Sequence, residues 1–290
     1  MRGFLTFGVY RLLGALIGPM PPRVGYWMAR RAGPLLYFLY PQMKRIVSHN
    51  MRHVLGPDAD EQEVQRRVRL ACVNIAKGHY DLFRLSRLSI SDIRRMARLE
   101  GSQHIEKALA RGKGAILITA HLGNVDLLGQ LPVAYGIPLT APIQHIQPER
   151  LFQYALKLRM SHGVRMIPAD GPLMEMFRAL RRGELIALPC DRGIADNTRL
   201  IEFFGEPARL SDGPVRVALR TGAALIPGFG LRLPDDGLLV RIEPELELVQ
   251  TGDLEADVDA GMKQIVAVLE RYISEHPEQW LVATNVWPLE

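Results

Sequence analysis

The chain of 290 residues has only two cysteines, Cys72 and Cys190. A disulfide framework is excluded, and the pair fits a reducing compartment. No Gly-x-Ser-x-Gly element occurs, which removes the usual serine-hydrolase elbow. Neither a P-loop nor a Rossmann glycine fingerprint is present. His121 and Asp126 lack a third ligand at metal spacing and both cysteines are isolated, so no metal is expected. Acid is absent from the first 57 residues: Asp58 is the first acidic residue, and Arg2, Arg11, Arg23, Arg30, Arg31, Lys44, Arg45 and Arg52 precede it. The rest of the chain carries 28 basic against 31 acidic residues. A nucleic-acid binder usually holds its basic excess on the folded body. Here the excess sits on an apolar N-terminal end, and no nucleic-acid partner is expected.

A membrane-spanning run is also missing from that end. Its longest charge-free stretches, Leu12–Pro22 and Ala32–Met43, have eleven and twelve residues, whereas a spanning helix needs about 20. Pro19, Pro21, Pro22 and Pro34 are expected to break them further. No small-residue cleavage site follows the apolar core, so a secretory signal is not read. Eight aromatics lie in the first forty residues: Phe4, Phe7, Tyr10, Tyr26, Trp27, Tyr37, Phe38 and Tyr40. Residues 1–57 read as a helical extension lying on an anionic membrane surface without crossing it. The alternative is an arm packed on the protein's own core.

What is present describes a globular chain: 48% hydrophobic and 23% charged residues. Helices are expected at Asp60–Arg87 and Ser91–Arg111. From Gly114 onward, short apolar runs alternate with helical patterns. Strands are predicted at Ala115–Thr119, Leu139–Ile143, Val164–Ile167, Leu185–Leu188, Ala224–Gly228 and Leu238–Ile242. Helices are predicted near Asn124–Ala134, Pro148–Ser161, Pro172–Arg182, Gly213–Arg220 and Ala256–Glu275. The fold class is α/β, a largely parallel central sheet covered by helices. Residues 58–290 form this domain with its leading helices. Nothing in the sequence sets an oligomeric state.

The central stretch is Gly114–Leu128, where an apolar strand gives way to a helix. His121 falls at the strand's carboxyl end, the edge at which open α/β sheets bind ligands. Asp126 follows five residues later, about 140° away on a continuous helix. A bend at Leu122-Gly123 is expected to fold the imidazole back onto that carboxylate, which would orient a general base. The plainer reading is a hydrogen-bonded loop histidine and a favourable first-turn acid. His79 is read as core or surface, outside the chemistry. Asp191-Arg192 ends the apolar run Leu185–Cys190 and reaches the same sheet edge as His121, as a substrate contact or a structural salt bridge. Cys190 is read as a small buried hydrophobe. Gly205 and Gly213-Pro214 give a tight backbone at the next loop.

His121-Leu-Gly-Asn-Val-Asp126 resembles the His-x-x-x-x-Asp motif of the lysophospholipid acyltransferase superfamily. Further blocks resemble its branch acting in lipid A biosynthesis and phosphatidylinositol mannoside acylation. They are Leu158-Arg159-Met160 with Gly163–Pro168, Phe203–Ala208, Gly213-Pro214 with Thr221–Pro227, and Pro277–Trp280 with Trp287. The Glu-Gly-Thr-Arg block of the glycerol-3-phosphate and lysophosphatidate enzymes is absent, which argues against a simple lysophosphatidate acceptor. The resemblance implies transfer of a fatty acyl chain from acyl-CoA or acyl carrier protein to a hydroxyl of a glycolipid or phospholipid. The donor is a co-substrate, and no bound cofactor is expected. It implies a place at the cytoplasmic face of the cell membrane, in contact with lipid. His121 would be the base and Asp126 its orienting acid, with backbone amides near Gly123-Asn124 facing the oxyanion. Arg159 would meet a phosphate, while Asp191, Arg192 and Gly205 would touch substrate. The rivals are a thioesterase-like hydrolase and a non-enzymatic lipid-binding protein.

Overall fold

The computed structural model describes residues 2–169, 171, 174–193 and 198–288, without the side chains of residues 2–6. Three helices open the chain: α1 (Arg2–Ile17), α2 (Pro22–Leu39) and α3 (Pro41–Leu55). Pro22 and Pro41 begin two of them, where a missing N–H costs nothing. Pro34 does not break α2, which runs through it. The lost hydrogen bond is offset by burial against α4 (Glu61–Leu85). Gly25, Ala29 and Gly33 recur every fourth residue and are all buried in α2. A Cβ on Gly25 would lie 2.2 Å from the Tyr80 ring, and one on Gly33 2.5 Å from the Val73 Cα. Small residues therefore let the two helix backbones approach closely. No helix among the described residues is long and apolar enough to cross a membrane.

The expected helix Ser91–Arg111 is instead three elements: α5 (Ile90–Met96), β1 (Ala97–Glu100) and α6 (Ser102–Leu109). Ser89 caps α5, in a reciprocal capping box with Asp92. Left-handed Gly101 separates β1 from α6. Then follow β2 (Ala115–Thr119), α7 (Val125–Ala134), β3 (Leu139–Ile143), α8 (Glu149–Arg159), β4 (Arg165–Pro168), α9 (Met174–Arg181) and β5 (Leu185–Pro189). The expected start of α9 at Pro172 lies outside the described residues. A hairpin missed by the sequence reading comes next, β6 (Thr198–Phe203) and β7 (Glu206–Ser211). After it stand α10 (Gly213–Thr221), β8 (Ala224–Arg232), β9 (Leu238–Ile242) and α11 (Leu254–Glu275).

The main sheet has seven strands in the order β1-β9-β8-β2-β5-β3-β4. Its pairs are parallel except β8 with β9. All five residues of β2 are buried, and their alternation feeds two cores. Ile116 and Ile118 face the cluster holding Val215, Met262 and Ile265. Ala115 and Leu117 face the cluster holding Ile93, Leu127 and Leu131. A third cluster joins the opening helices to α4 through Tyr37, Val47, Met51, Val64 and Val68.

Candidate active site

His121 and Asp191 come together because β2 and β5 are neighbours in register, with Thr119 opposite Pro189. The Cys190 amide continues the ladder to the Thr119 carbonyl at 2.8 Å. His121 and Asp191, each two residues beyond the Thr119–Pro189 pair, are thereby delivered to the same edge. The His121 Nδ1 and Asp191 Oδ1 are 2.8 Å apart, and the His121 backbone N–H donates to Asp191 Oδ2 at 2.8 Å. The Trp280 indole N–H donates to the same Oδ2, also at 2.8 Å.

Burial pushes the Asp191 carboxyl up, but the His121 imidazole and these hydrogen bonds outweigh it and hold the group below its ordinary range. An ionised carboxylate only accepts hydrogen bonds, so the shared proton sits on Nδ1, and in the neutral form of the ring the lone pair is on Nε2. Asp191 is fully buried, whereas the His121 side chain stays 26% exposed. The imidazole is held from behind and open in front. Burial, then the Asp191 charge, pushes the Cys190 thiol up, which disfavours a thiolate nucleophile beside it.

Asp126 is not the partner of His121. Its Oδ1 accepts from Arg159 Nε at 2.6 Å, bridging the first turn of α7 to the end of α8. Asp126 is the chief reason that Arg159 is pushed above its usual value. The expected fold-back fails because the intervening turn is consumed by backbone pairing. Gly123 N–H donates to the Gln279 carbonyl at 2.8 Å and Asn124 N–H to the Gly230 carbonyl at 2.9 Å. Those two amides are accordingly spoken for, and the oxyanion position assigned to them does not fit. Gly123 itself is needed for close approach: its φ is +66°, and a Cβ would lie 2.0 Å from the Gly230 oxygen.

Asn124 is buried and caps α7, accepting from the Leu127 N–H at 3.0 Å. Leu128 N–H is taken by the Asn124 carbonyl. Among the described residues, the amides of Val125 and Asp126 have no hydrogen-bond partner, as donors that a helix start leaves. Arg192 lies beside the site, donating to Gln144 at 3.1 Å. Gly205 is elsewhere. With Phe204 it makes the turn of the β6–β7 hairpin, at φ +77° and +51°, and lines a separate cavity with Arg45, His49 and Arg52.

His121 opens onto a cavity of about 350 Å³ that also carries Gly123, Val125, Asp126, Arg159 and Leu281. Tyr10, Ile75 and His79 form the wall it shares with a second cavity of about 670 Å³. That second cavity is mostly apolar, lined by Leu13, Ile17, Met28, Leu36 and Phe83 among others. His79, set aside in the sequence reading, is therefore a rim residue. Its Nδ1 lies 3.0 Å from the Ile75 carbonyl, the preceding helical turn. Burial also pushes the Tyr10 hydroxyl up, so it stays protonated. The C-terminal block supports the site from outside: Leu281 N–H donates to the His121 carbonyl at 2.8 Å, and Asn50 donates to the carbonyls of Val282 and Thr284. Among the described residues, no group of three or more His, Cys, Asp or Glu side chains is placed to hold a metal ion.

The family model described as bacterial lipid A biosynthesis acyltransferase matches residues 3–288. A phosphatidylinositol mannoside acyltransferase of Mycolicibacterium smegmatis is 29% identical over 266 residues, 90% of this chain and 82% of that protein. Its counterpart in Mycobacterium tuberculosis is 29% identical over 271 residues, 90% of this chain and 79% of the relative. A lipid A biosynthesis acyltransferase of Haemophilus influenzae is 22% identical over 288 residues, covering 99% and 83%.

Proposed function

The chain belongs to the bacterial lipid A biosynthesis acyltransferase family, and from that premise we propose that it transfers a fatty acyl group from a thioester to a lipid hydroxyl, with His121 as general base. The acceptor is a glycolipid or phospholipid, and the donor is acyl-CoA or acyl carrier protein. The single observation that carries this reading is an imidazole fixed by a buried carboxylate at the mouth of a pocket that shares a wall with an apolar cavity. The acyl chain occupies the apolar cavity, and its thioester carbonyl lies in front of Nε2.

The acceptor hydroxyl gives its proton to Nε2 as its oxygen attacks that carbonyl. The Asp191 carboxylate stabilises the imidazolium that forms and keeps the ring in one tautomer. Negative charge gathers on the carbonyl oxygen, facing the Val125 and Asp126 amides at the positive end of α7. Collapse forms the ester, breaks the carbon–sulfur bond, and returns the proton from the imidazolium to the departing thiolate. No acyl-enzyme is needed. Asp126 takes a different part from the one its motif position suggested: it holds Arg159 at the pocket wall, where the remaining guanidinium N–H groups can meet a phosphate on donor or acceptor.

The test is purified protein with palmitoyl-CoA and, separately, palmitoyl-acyl carrier protein, supplied with a panel of phosphatidylinositol mannosides and lipid A precursors. Mass spectrometry follows acylated lipid and free fatty acid. Acylated lipid from the wild type and a loss of at least about 10²-fold in folded His121→Ala are expected. Free fatty acid as the main product, or near-normal transfer by His121→Ala, would overturn the reading.

A further inference from the structure

Asp81 is a buried carboxylate outside the catalytic pocket, and three other parts of the chain converge on it. Its Oδ1 accepts from the Tyr26 hydroxyl of α2 at 2.6 Å. Its Oδ2 accepts from Asn124 Nδ2 at 2.8 Å and from Arg232, at the end of β8, at 2.5 Å. Asp81 itself stands on α4. Arg232 is equally well fixed: Gln279 clamps its backbone, accepting from the N–H at 2.8 Å and donating to the carbonyl at 3.0 Å.

This arrangement dictates which way one amide points. Asn124 presents an oxygen on one side and an NH₂ group on the other, and only the oxygen can cap the Leu127 N–H. An ionised Asp81 only accepts, so it requires the NH₂ group to face it and the oxygen to face α7. Burial pushes the Asp81 carboxyl above its ordinary value and the Arg232 charge opposes it; because a guanidinium can only donate, the Oδ2 that Arg232 shares with Asn124 is an acceptor. A flip of the amide would set Nδ2 against the Leu127 N–H, donor against donor, and release the start of α7. That start lies three residues from His121 and carries Val125 and Asp126, both on the catalytic pocket.

We infer that Asp81 is a positioning residue of the transfer reaction, acting through Asn124 to fix the first turn of α7 against His121. The inference rests on the reading of His121 as base and assigns Asp81 no contact with substrate. Stability alone is a poor reason for the charges, because a buried ion pair is often no better than packed hydrophobic groups of similar volume. Geometry is the better reason, since misplacement of a reacting group by about 1 Å can cost on the order of 10²-fold in rate.

The experiment measures kcat and KM for lipid acylation in Asp81→Asn, Asn124→Ala and the double variant, with circular dichroism and thermal melting as checks on folding. Asp81→Asn is expected to lower kcat 10- to 100-fold while KM stays within about threefold. The double variant is expected to be no slower than the slower single one, because both changes remove the same constraint. Should Asp81→Asn not fold, the neutral pair Asp81→Leu with Arg232→Met supplies the comparison and is expected to be folded and equally slow. A folded Asp81→Asn or neutral-pair variant with kcat within twofold of wild type would overturn the inference, as would losses that multiply in the double variant. If His121→Ala also turns over normally, the reading of the site falls with it; if His121→Ala is dead, only the role of Asp81 falls.

Discussion

The division of labour between two aspartates can be separated at the level of single atoms. Asp191→Asn keeps the shape but allows an NH₂ group to face Nδ1, which permits the wrong imidazole tautomer. A loss of about 10² to 10⁴-fold in kcat is expected. Asp126→Asn leaves His121 and Asp191 untouched and weakens only the bond to Arg159, so its loss should appear mainly in KM for a phosphate-bearing substrate. Equal kcat losses in the two variants would contradict this division. Asp191 has a second signature in acid. Its folded-state carboxyl lies below the ordinary value, so it contributes stability that is complete above the unfolded-chain pKa of about 3.9. That contribution declines as pH falls through the lower folded value, and thermal melts between neutral pH and pH 3 should show the gap between wild type and Asp191→Asn closing at the acid end. His121 was legible in the sequence because a buried run ends on it just before a helix. Its partner was half legible: Asp191 also ends a buried run, but 70 positions away, and only the adjacency of β2 and β5 turns a shared edge into a contact. Asp126 misled because nearness in sequence is not nearness across a turn whose amides are already bonded.

Whole elements were readable where one hydrophobic period dominated. The strands Ala115–Thr119, Leu139–Ile143 and Leu238–Ile242 have the bounds their apolar runs suggest. β1 was missed because Ala97-Arg-Leu-Glu100 carries no β-branched residue and sits between two helices; pairing with β9 makes it a strand. The β6–β7 hairpin was missed because its two-residue turn puts Phe204, not Asn or Asp, at positive φ before Gly205. The closeness of α2 to α4 was also silent, although its cause is visible afterwards in Gly25, Ala29 and Gly33. Gly33→Leu tests that cause. Its side chain would be driven into the Val73 backbone, where no flexible group can move aside, and a loss of about 1–3 kcal/mol is expected for such overpacking. Because α2 and α4 both line the apolar cavity, activity on long-chain donors should fall further than activity on short-chain ones. Unchanged denaturant midpoint and unchanged chain-length preference would show that the helices are not held by this seam.

At the scale of the molecule, the first two helices hold a concentration of exposed apolar side chains. Leu12 and Leu16 of α1 and Trp27, Leu35, Phe38 and Leu39 of α2 are all more than half exposed. Such a concentration of large exposed apolar groups on neighbouring elements of the sequence points to an interaction surface. Arg11, Arg23 and Arg31 are on the same two helices, and the Arg31 guanidinium lies 5.7 Å from the Trp27 ring centre. Exposed Val9, Leu13 and Tyr40 line the apolar cavity itself, so that cavity opens where the apolar face begins. A lipid acceptor whose chains stay in a bilayer can reach His121 only if this side of the protein meets the bilayer, which gives the exposure a reason. The expected arrangement is interfacial, with aromatic and aliphatic groups in the headgroup region and arginines on lipid phosphates, each basic residue adding about 1 kcal/mol. Flotation with vesicles containing phosphatidylglycerol should show binding that weakens as salt is raised, since part of the attraction is ionic. The triple variant Trp27→Ala, Phe38→Ala and Leu39→Ala changes only exposed side chains and should stay folded. Its partition coefficient should drop at least about tenfold, even if each side chain contributes only a fraction of its full burial energy. Binding at full strength by the triple variant would show that another face meets the membrane, and protease protection of any part of α1 or α2 across the bilayer would replace the interfacial arrangement with a spanning one.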